Sequence, residues 1–511
     1  MSMAARQVMI ILALGIGGVA VIRSPSAGFA SGSTRMDLEI TLTLGRPELI
    51  VGESTAVSIG FTNASNRRLS LPDPAVHGEY PKIRVRNVAA NKDILMLGAR
   101  ERERQEVQEF VAPEPPRLIE MAPKQQAHRT ADLLKWIGPL PPGRYELTVE
   151  YDYETIHGVS APVPLTVEPL DLADAATVGS HSGESPYRFC FWDARTGRGS
   201  ALILSYFVFE NTGRSQVVQS VRLADLNSAV MPAASVTQNG LSYPAQWVAW
   251  LSGEGLTALY VKQGKVESPP RTHPLLGVAG ARLITPLLLD LTGSDGSRPG
   301  RGIVPVWLPG PSASRLVFHV LEPDGSLSEG PSVTLEAGEL RWGRSIAPGN
   351  GERRFYLALK RNGGTDLETL KWGDRTATRV DHFPGTVIGG GLTLDAHDVV
   401  WGAAAVRSGT KVSIHNWRSE PGGSARAGTP SELVIPGNLA IEHAVIAPNP
   451  AGKPCVLIES ADRRWFWVNP AGVTTLLQQS GGPIDAFWLN GALPQALMAD
   501  AQTGLTYQPV R

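Results

Sequence analysis

Cysteine is almost missing from this chain: Cys190 and Cys455 are the only two among 511 residues. That excludes a disulfide-stapled scaffold, so the fold must rest on packed apolar cores. An excess of either charge is lacking as well. Lys and Arg number 47 against 48 Asp and Glu, so no global field draws polyanions and nucleic acid is not an expected partner. No apolar run reaches the ~20 residues needed to cross a bilayer. Linear catalytic motifs are missing too, including the P-loop, H-E-x-x-H and the G-x-S-x-G elbow. Gly179-Ser180-His181-Ser182-Gly183 comes near the last but carries His at its centre. No metal-ligand set stands out, and no dinucleotide fingerprint occurs outside the N-terminal apolar stretch, so neither a metal nor a cofactor is expected.

What is present begins with an export signal. Arg6 precedes the 15-residue apolar run 8–22, and Gly28-Phe29-Ala30 supplies the small residues that signal peptidase requires. Residues 1–30 therefore read as a signal peptide, with delivery to the periplasm, the cell surface or the medium. The weakly basic start leaves an uncleaved N-terminal anchor open, and no cysteine lies near enough for lipoprotein modification. Gly 54 and Pro 40 are together nearly a fifth of the chain, which fits many short strands joined by turns.

Residues 36–167 read as one sandwich. Apolar and polar residues alternate in 36–44 (MDLEITLTL), 55–62 and 83–88, the period of a half-buried strand. In 141–153 (PPGRYELTVEYDY) a Pro-Gly turn leads into Tyr145, Leu147, Val149 and Tyr151 on one face. This pattern resembles the last strands of an immunoglobulin-like or macroglobulin-like sandwich. The run within 98–110 (ERERQEVQEF) reads as a charged insertion, and 168–184 as a linker.

From 185 to 511 a repeat follows. Apolar strands recur around Leu259, Phe318, Leu370, Ile414, Phe466 and Tyr507, 41 to 59 residues apart. Each is preceded by another, at 246–251, 303–308, 354–359, 399–405, 455–459 and 495–499. A period near 50 residues with several short strands per unit and no helical pattern resembles the blades of a β-propeller. The chain is thus expected to be all-β: an N-terminal immunoglobulin-like sandwich, then a propeller of about seven blades, six or eight also fitting. The last unit has room for three strands, and 186–192 (PYRFCFW) is expected to help close the ring. That closure would bring Cys190 toward Cys455 and allow a disulfide; two separate half-buried thiols fit equally well.

Few side chains suggest chemistry. His397 stands between Asp395 and Asp398, an arrangement that allows metal binding or base catalysis, although the two carboxylates also suit a turn. Asp381 and His382, before Phe383-Pro384-Gly385, admit the same two readings. Trp465 and Trp467 share one face of a strand, where they would stack on sugar rings if exposed or pack between blades if buried. The S-x-D-x-G-x-x-W box of sialidase-like propellers is missing. The leading reading is an exported, non-enzymatic protein that binds a protein or carbohydrate ligand at the propeller's loop face. The alternative is a propeller-type hydrolase or lyase acting on a polysaccharide or similar polymer. Paired carboxylates at the channel mouth would favour the enzyme, and a mixed channel the binder.

Overall fold

The computed structural model describes residues 37–510 apart from 75–79, 99–115, 180–186, 210–214, 236–244, 263–264, 268–269, 276–278, 291–299, 348–350, 436–438, 451–452, 469–473, 478–481 and 490–492. Residues 1–30, read above as a signal peptide, almost all of the stretch read as a charged insertion and the glycine-serine stretch 180–184 lie outside the described residues. No helix among them is long and apolar enough to cross a membrane.

The N-terminal unit is made of two main sheets around one core. Leu38–Leu44, Ala56–Asn63 and Gln126–Asp132 form the first. Glu48–Ile50, Val163–Glu168, Gly143–Tyr153, Pro81–Asn87 and Lys92–Gly98 form the second, with Ile156–Val159 folded back as a hairpin on Gly143–Tyr153. Their alternation explains the pairing of layers. Leu38, Ile40 and Leu42 turn inward from one sheet, and Tyr145, Leu147, Val149 and Tyr151 from the other, all buried. The short helix Leu133–Ile137 begins at Asp132, whose side chain accepts the Lys135 N–H, and it buries Trp136 in the same core.

Among the described residues seven antiparallel sheets follow in sequence order, each joining neighbours along the chain. Their first strands are Leu172–Gly179, Met231–Ala234, the pair Arg282–Leu283 and Leu288–Asp290, Glu339–Ile346, Thr386–Leu394, Ile441–Ala447 and Gly482–Leu489. The second and third strands fall where the sequence pattern sets them; in the fourth sheet, for example, they are Arg354–Arg361 and Gly364–Lys371. Apolar clusters pack sheet one on two, two on three, three on four, four on five, five on six and six on seven. A further cluster holds Cys190, Trp192 and Phe207 of sheet one with Leu497, Leu505 and Tyr507 of sheet seven, so the series of packed faces closes on itself. The core of the N-terminal unit is continuous with that seam.

Two expectations are corrected. The stretch read as a linker contains Leu172–Gly179, the first strand of sheet one, paired along its length with Tyr187–Thr196. Its small residues (LADAATVG) suit a strand near an axis where sheets converge. Residues 187–192 do not complete the last sheet, because both edges of Tyr187–Thr196 are taken by sheet one. Among the described residues sheet seven keeps three strands, and the N-terminal unit covers it. Val51 and Gly52 lie against Gly504, and the Leu170 N–H donates to the Ala501 carbonyl. An open strand edge attracts foreign strands, and covering it removes that hazard. Of the two readings left open for the cysteines, the structure has the separate thiols: Cys190 and Cys455 are both buried and free, in different clusters.

Candidate functional site: the central channel

The first strands of neighbouring sheets lie side by side, and those of sheets four to seven, with Thr177 and Val178 of sheet one, line a cavity of about 510 Å³, referred to below as the channel. That volume falls within the range of small-molecule sites. The strand edges approach closely where side chains are missing: a Cβ at Gly389 would overlap the Ala444 carbonyl oxygen, and one at Gly391 the Ile446 carbonyl oxygen. Gly390 gives its carbonyl to the indole N–H of Trp342 at 2.9 Å. The triple glycine is therefore a packing device that lets sheets four, five and six meet at the axis.

Register locates the charges. Lys360 stands opposite Glu339, and Arg407 opposite Thr386, so both sit where the first strands of sheets four and five begin. Arg341 and Arg344 belong to the first strand of sheet four itself. These four cations border the channel. Arg341 pairs with Glu339 at 2.8 Å. Arg344 donates to the Thr285 hydroxyl at 3.0 Å, and Arg407 to the Ile441 carbonyl at 2.8 Å. Both of those acceptors are neutral. Two carboxylates line the channel. Glu442 is exposed there, while Asp485 accepts from Thr177 and lies 3.9 Å from Arg188. Arg188 also covers the ring of Phe487 at 3.5 Å. Asp174 adds a third carboxyl within electrostatic reach of Arg344. It touches water, yet so much protein surrounds it that burial pushes its carboxyl up to about 6; Asp193 adds to the rise, and Arg282 and Arg344 oppose it.

The residues singled out in the sequence lie elsewhere. Asp395 organises a turn: its carboxylate accepts the N–H groups of His397 and Val399 and the indole N–H of Trp401. Burial works to raise that carboxyl, but the three bonds hold it below the usual range. Asp398 occupies a left-handed conformation in the same turn. Asp381 and His382 lie within the strand Thr378–Phe383 and do not form a turn. His382 bonds Asp366 at 2.7 Å, and Arg361 bridges Asp366 and Glu368. Trp465 and Trp467 are half-buried against Cys455, Leu457 and Trp488 between sheets six and seven. Among the described residues no group of three or more His, Cys, Asp or Glu could hold a metal ion.

One arrangement has no linear signal. Ser413 Oγ lies 3.0 Å from His415 Nε2, and His415 Nδ1 lies 4.0 Å from Asp381. Serine, histidine and carboxylate stand in the order of an acyl-transfer relay. The second distance exceeds a hydrogen bond, the His415 ring packs on Phe383 at 4.6 Å, and the channel does not border Ser413. We therefore assign this trio to packing between sheets four and five.

No known protein family and no curated protein matches this chain. Among solved structures, the periplasmic gluconolactonase of Pseudomonas aeruginosa is similar at 16% identity, covering 73% of this chain and 96% of its own, with a TM-score of 0.37. Hydrazine synthase of Kuenenia stuttgartiensis is similar at 11% identity, with coverages of 67% and 96% and a TM-score of 0.41. A mutant of NanB sialidase from Streptococcus pneumoniae is similar at 9% identity, with 93% of each chain covered and a TM-score of 0.31. Propeller-type folds are thus among the structures this all-β chain is similar to.

Proposed function

We propose that this chain is an exported, non-enzymatic binding protein that takes its ligand at the mouth of a propeller channel. In this reading the seven sheets are seven blades, and the N-terminal unit is an immunoglobulin-like sandwich fixed across the seam of the ring. The Tyr145 hydroxyl donates to the Pro141 carbonyl at 2.6 Å, a bond of the tyrosine-corner type, which supports the sandwich assignment. The observation that carries the binding role is the mixed lining of the channel. Cations on neutral acceptors stand beside one exposed carboxylate, Glu442, and one engaged carboxylate, Asp485. A glycosidase needs two carboxyl groups in concert across the scissile bond, and this lining favours recognition over such chemistry.

The test is incubation of the purified chain with a panel of neutral and acidic polysaccharides and oligosaccharides. Retention of a ligand in affinity electrophoresis, with no new reducing ends and no unsaturated products, is expected. Turnover that Glu442→Gln abolishes would overturn the binding reading and establish the hydrolase or lyase instead.

A further inference from the structure

We infer that Trp342 and Trp488 are paired stacking platforms in the channel that hold successive pyranose rings of a short oligosaccharide. The inference rests on the channel being the binding site and goes on to name the chemistry of what it binds. Both indoles border the cavity, and both are half-buried. Their N–H groups are already committed to main-chain carbonyls: Trp342 donates to Gly390 at 2.9 Å and Trp488 to Ala447 at 2.9 Å. Each bond reaches from one sheet to its neighbour, four to five and seven to six. The two rings therefore flank the first strands of sheets five and six from opposite sides. A ring fixed in this way has no donor left and offers a ligand its π-face alone.

Between the indoles the floor is bare backbone, because Gly389, Gly390 and Gly391 carry no side chains. Gly389 abuts Ala444 and Gly391 abuts Ile446, which sets Gly390 two residues short of the level of Ala447. The two anchoring carbonyls are thus offset by roughly 7 Å along the strands. A single flat heteroaromatic ring would meet one indole and miss the other, whereas two linked sugar rings would meet both. The C–H groups on a pyranose face suit the electron-rich face of an indole, and its hydroxyls take both donors and acceptors. The channel supplies both. Lys360 and Arg407 stand where the first strands of sheets four and five begin, and Glu442 is the second residue of the first strand of sheet six. Arg407 is held only by a neutral carbonyl, and Lys360 and Glu442 are exposed, so all three have hydrogen-bonding capacity for hydroxyls.

The experiment is calorimetric titration of the full chain with cellobiose, maltose, lactose and chitobiose, with sorbitol and adenosine as comparators. Sorbitol carries hydroxyls without a ring face, and adenosine carries a flat ring. At least one disaccharide is expected to bind, and the comparators not. Trp342→Ala and Trp488→Ala should each weaken that binding about tenfold or more. Trp342→Phe keeps a ring face but loses the bond to Gly390, so it should retain most of the affinity. Equal loss in the Phe and Ala variants would mark a structural bond and overturn the platform. Trp465→Phe, outside the cavity lining, should bind as the parent does. No disaccharide binding, or binding unchanged in both alanine variants, overturns the inference. Adenosine binding that depends on Trp342 overturns it too, because the slot would then be a heteroaromatic site. The underlying channel reading is tested apart by Thr386→Trp, which crowds the start of the channel. Disaccharide binding lost in Thr386→Trp but unchanged in both alanine variants would overturn the platforms while leaving the channel as the binding site.

Discussion

Arg222 grips the carboxylate of Glu53 with two nitrogens, Nε at 2.7 Å from Oε1 and Nη2 on Oε2, across 169 residues of sequence. Glu53 belongs to the N-terminal unit and Arg222 to the fourth strand of sheet one, so the pair ties the two parts together. The Glu53 side chain is fully buried and that of Arg222 is 10% exposed. The Ile50 N–H donates to the same carboxylate at 3.0 Å. Arg222 also pairs with Asp225 at 2.8 Å, but that carboxylate is 57% exposed, so removing Glu53 takes away the buried partner of the guanidinium. Glu53→Gln is expected to cost about 3–5 kcal/mol. The double change Glu53→Met with Arg222→Leu should cost clearly less, because no buried charge is left alone. Urea midpoints of the three proteins check this; a Glu53→Gln midpoint equal to that of the parent would show that the pair contributes nothing.

The close meeting of sheets five and six makes a second prediction. Gly389 has no positive φ to protect, so its requirement is space alone. A Cβ there would overlap the Ala444 carbonyl oxygen. Gly389→Ala should therefore destabilise the ring by about 1–3 kcal/mol or more through overpacking. Gly197, where a Cβ would meet nothing within 4 Å, is the control: Gly197→Ala should leave the melting temperature in place. Equal melting temperatures for the two variants would mean that the strands can simply part.

These sites show what could and could not be read from the sequence. The second and third strands of the repeats were legible because they are buried on both faces and form dense apolar runs, such as Phe355–Leu359 in sheet four and Val456–Ile458 in sheet six. The first strands of sheets one and two were not. They crowd the axis and need small residues, so Leu172–Gly179 resembles a linker and Met231–Ala234 has only four residues. The cationic mouth was illegible for a different reason. Lys360 and Arg407 look like polar strand ends, and only cross-strand register sets them beside Glu339 and Thr386. The pattern at Asp395 and His397 was visible but non-specific, since a turn and a site use the same residues.

Asp174 should leave a signature in the pH dependence of stability. Its carboxyl lies at about 6 in the folded chain, against 3.8 for the free group, so the native state holds the proton more tightly. Stability from this group is fully present below pH 3.8 and is lost as pH rises to about 6. Asp174→Asn cannot lose a proton. The variant should match the parent at a pH below the free-group value and become the more stable of the two as pH passes through about 6. Melting curves across that interval decide it; a constant difference at every pH would show that Asp174 titrates normally.

The continuous core at the seam gives the last prediction. Were residues 168–184 a free linker, the two parts would separate cleanly and each would keep its own surface. Instead, one cluster runs from Leu49, Val51 and Trp136 of the N-terminal unit through Trp192 and Phe207 to Leu497, Leu505 and Tyr507. The backbone joins there too, with the Leu170 N–H on the Ala501 carbonyl and Val51 against Gly504. Deleting residues 37–167 would expose this apolar face and bare the outer strand Gly504–Pro509, and both changes favour association between chains. The shortened protein should bind a hydrophobic dye and elute as oligomers or aggregates. For the same reason, full-length protein nicked by limited proteolysis within 168–184 should elute as one particle with both fragments present. A deletion protein that stays monomeric, binds no dye and melts at the parental temperature would show that the ring closes without help from the N-terminal unit.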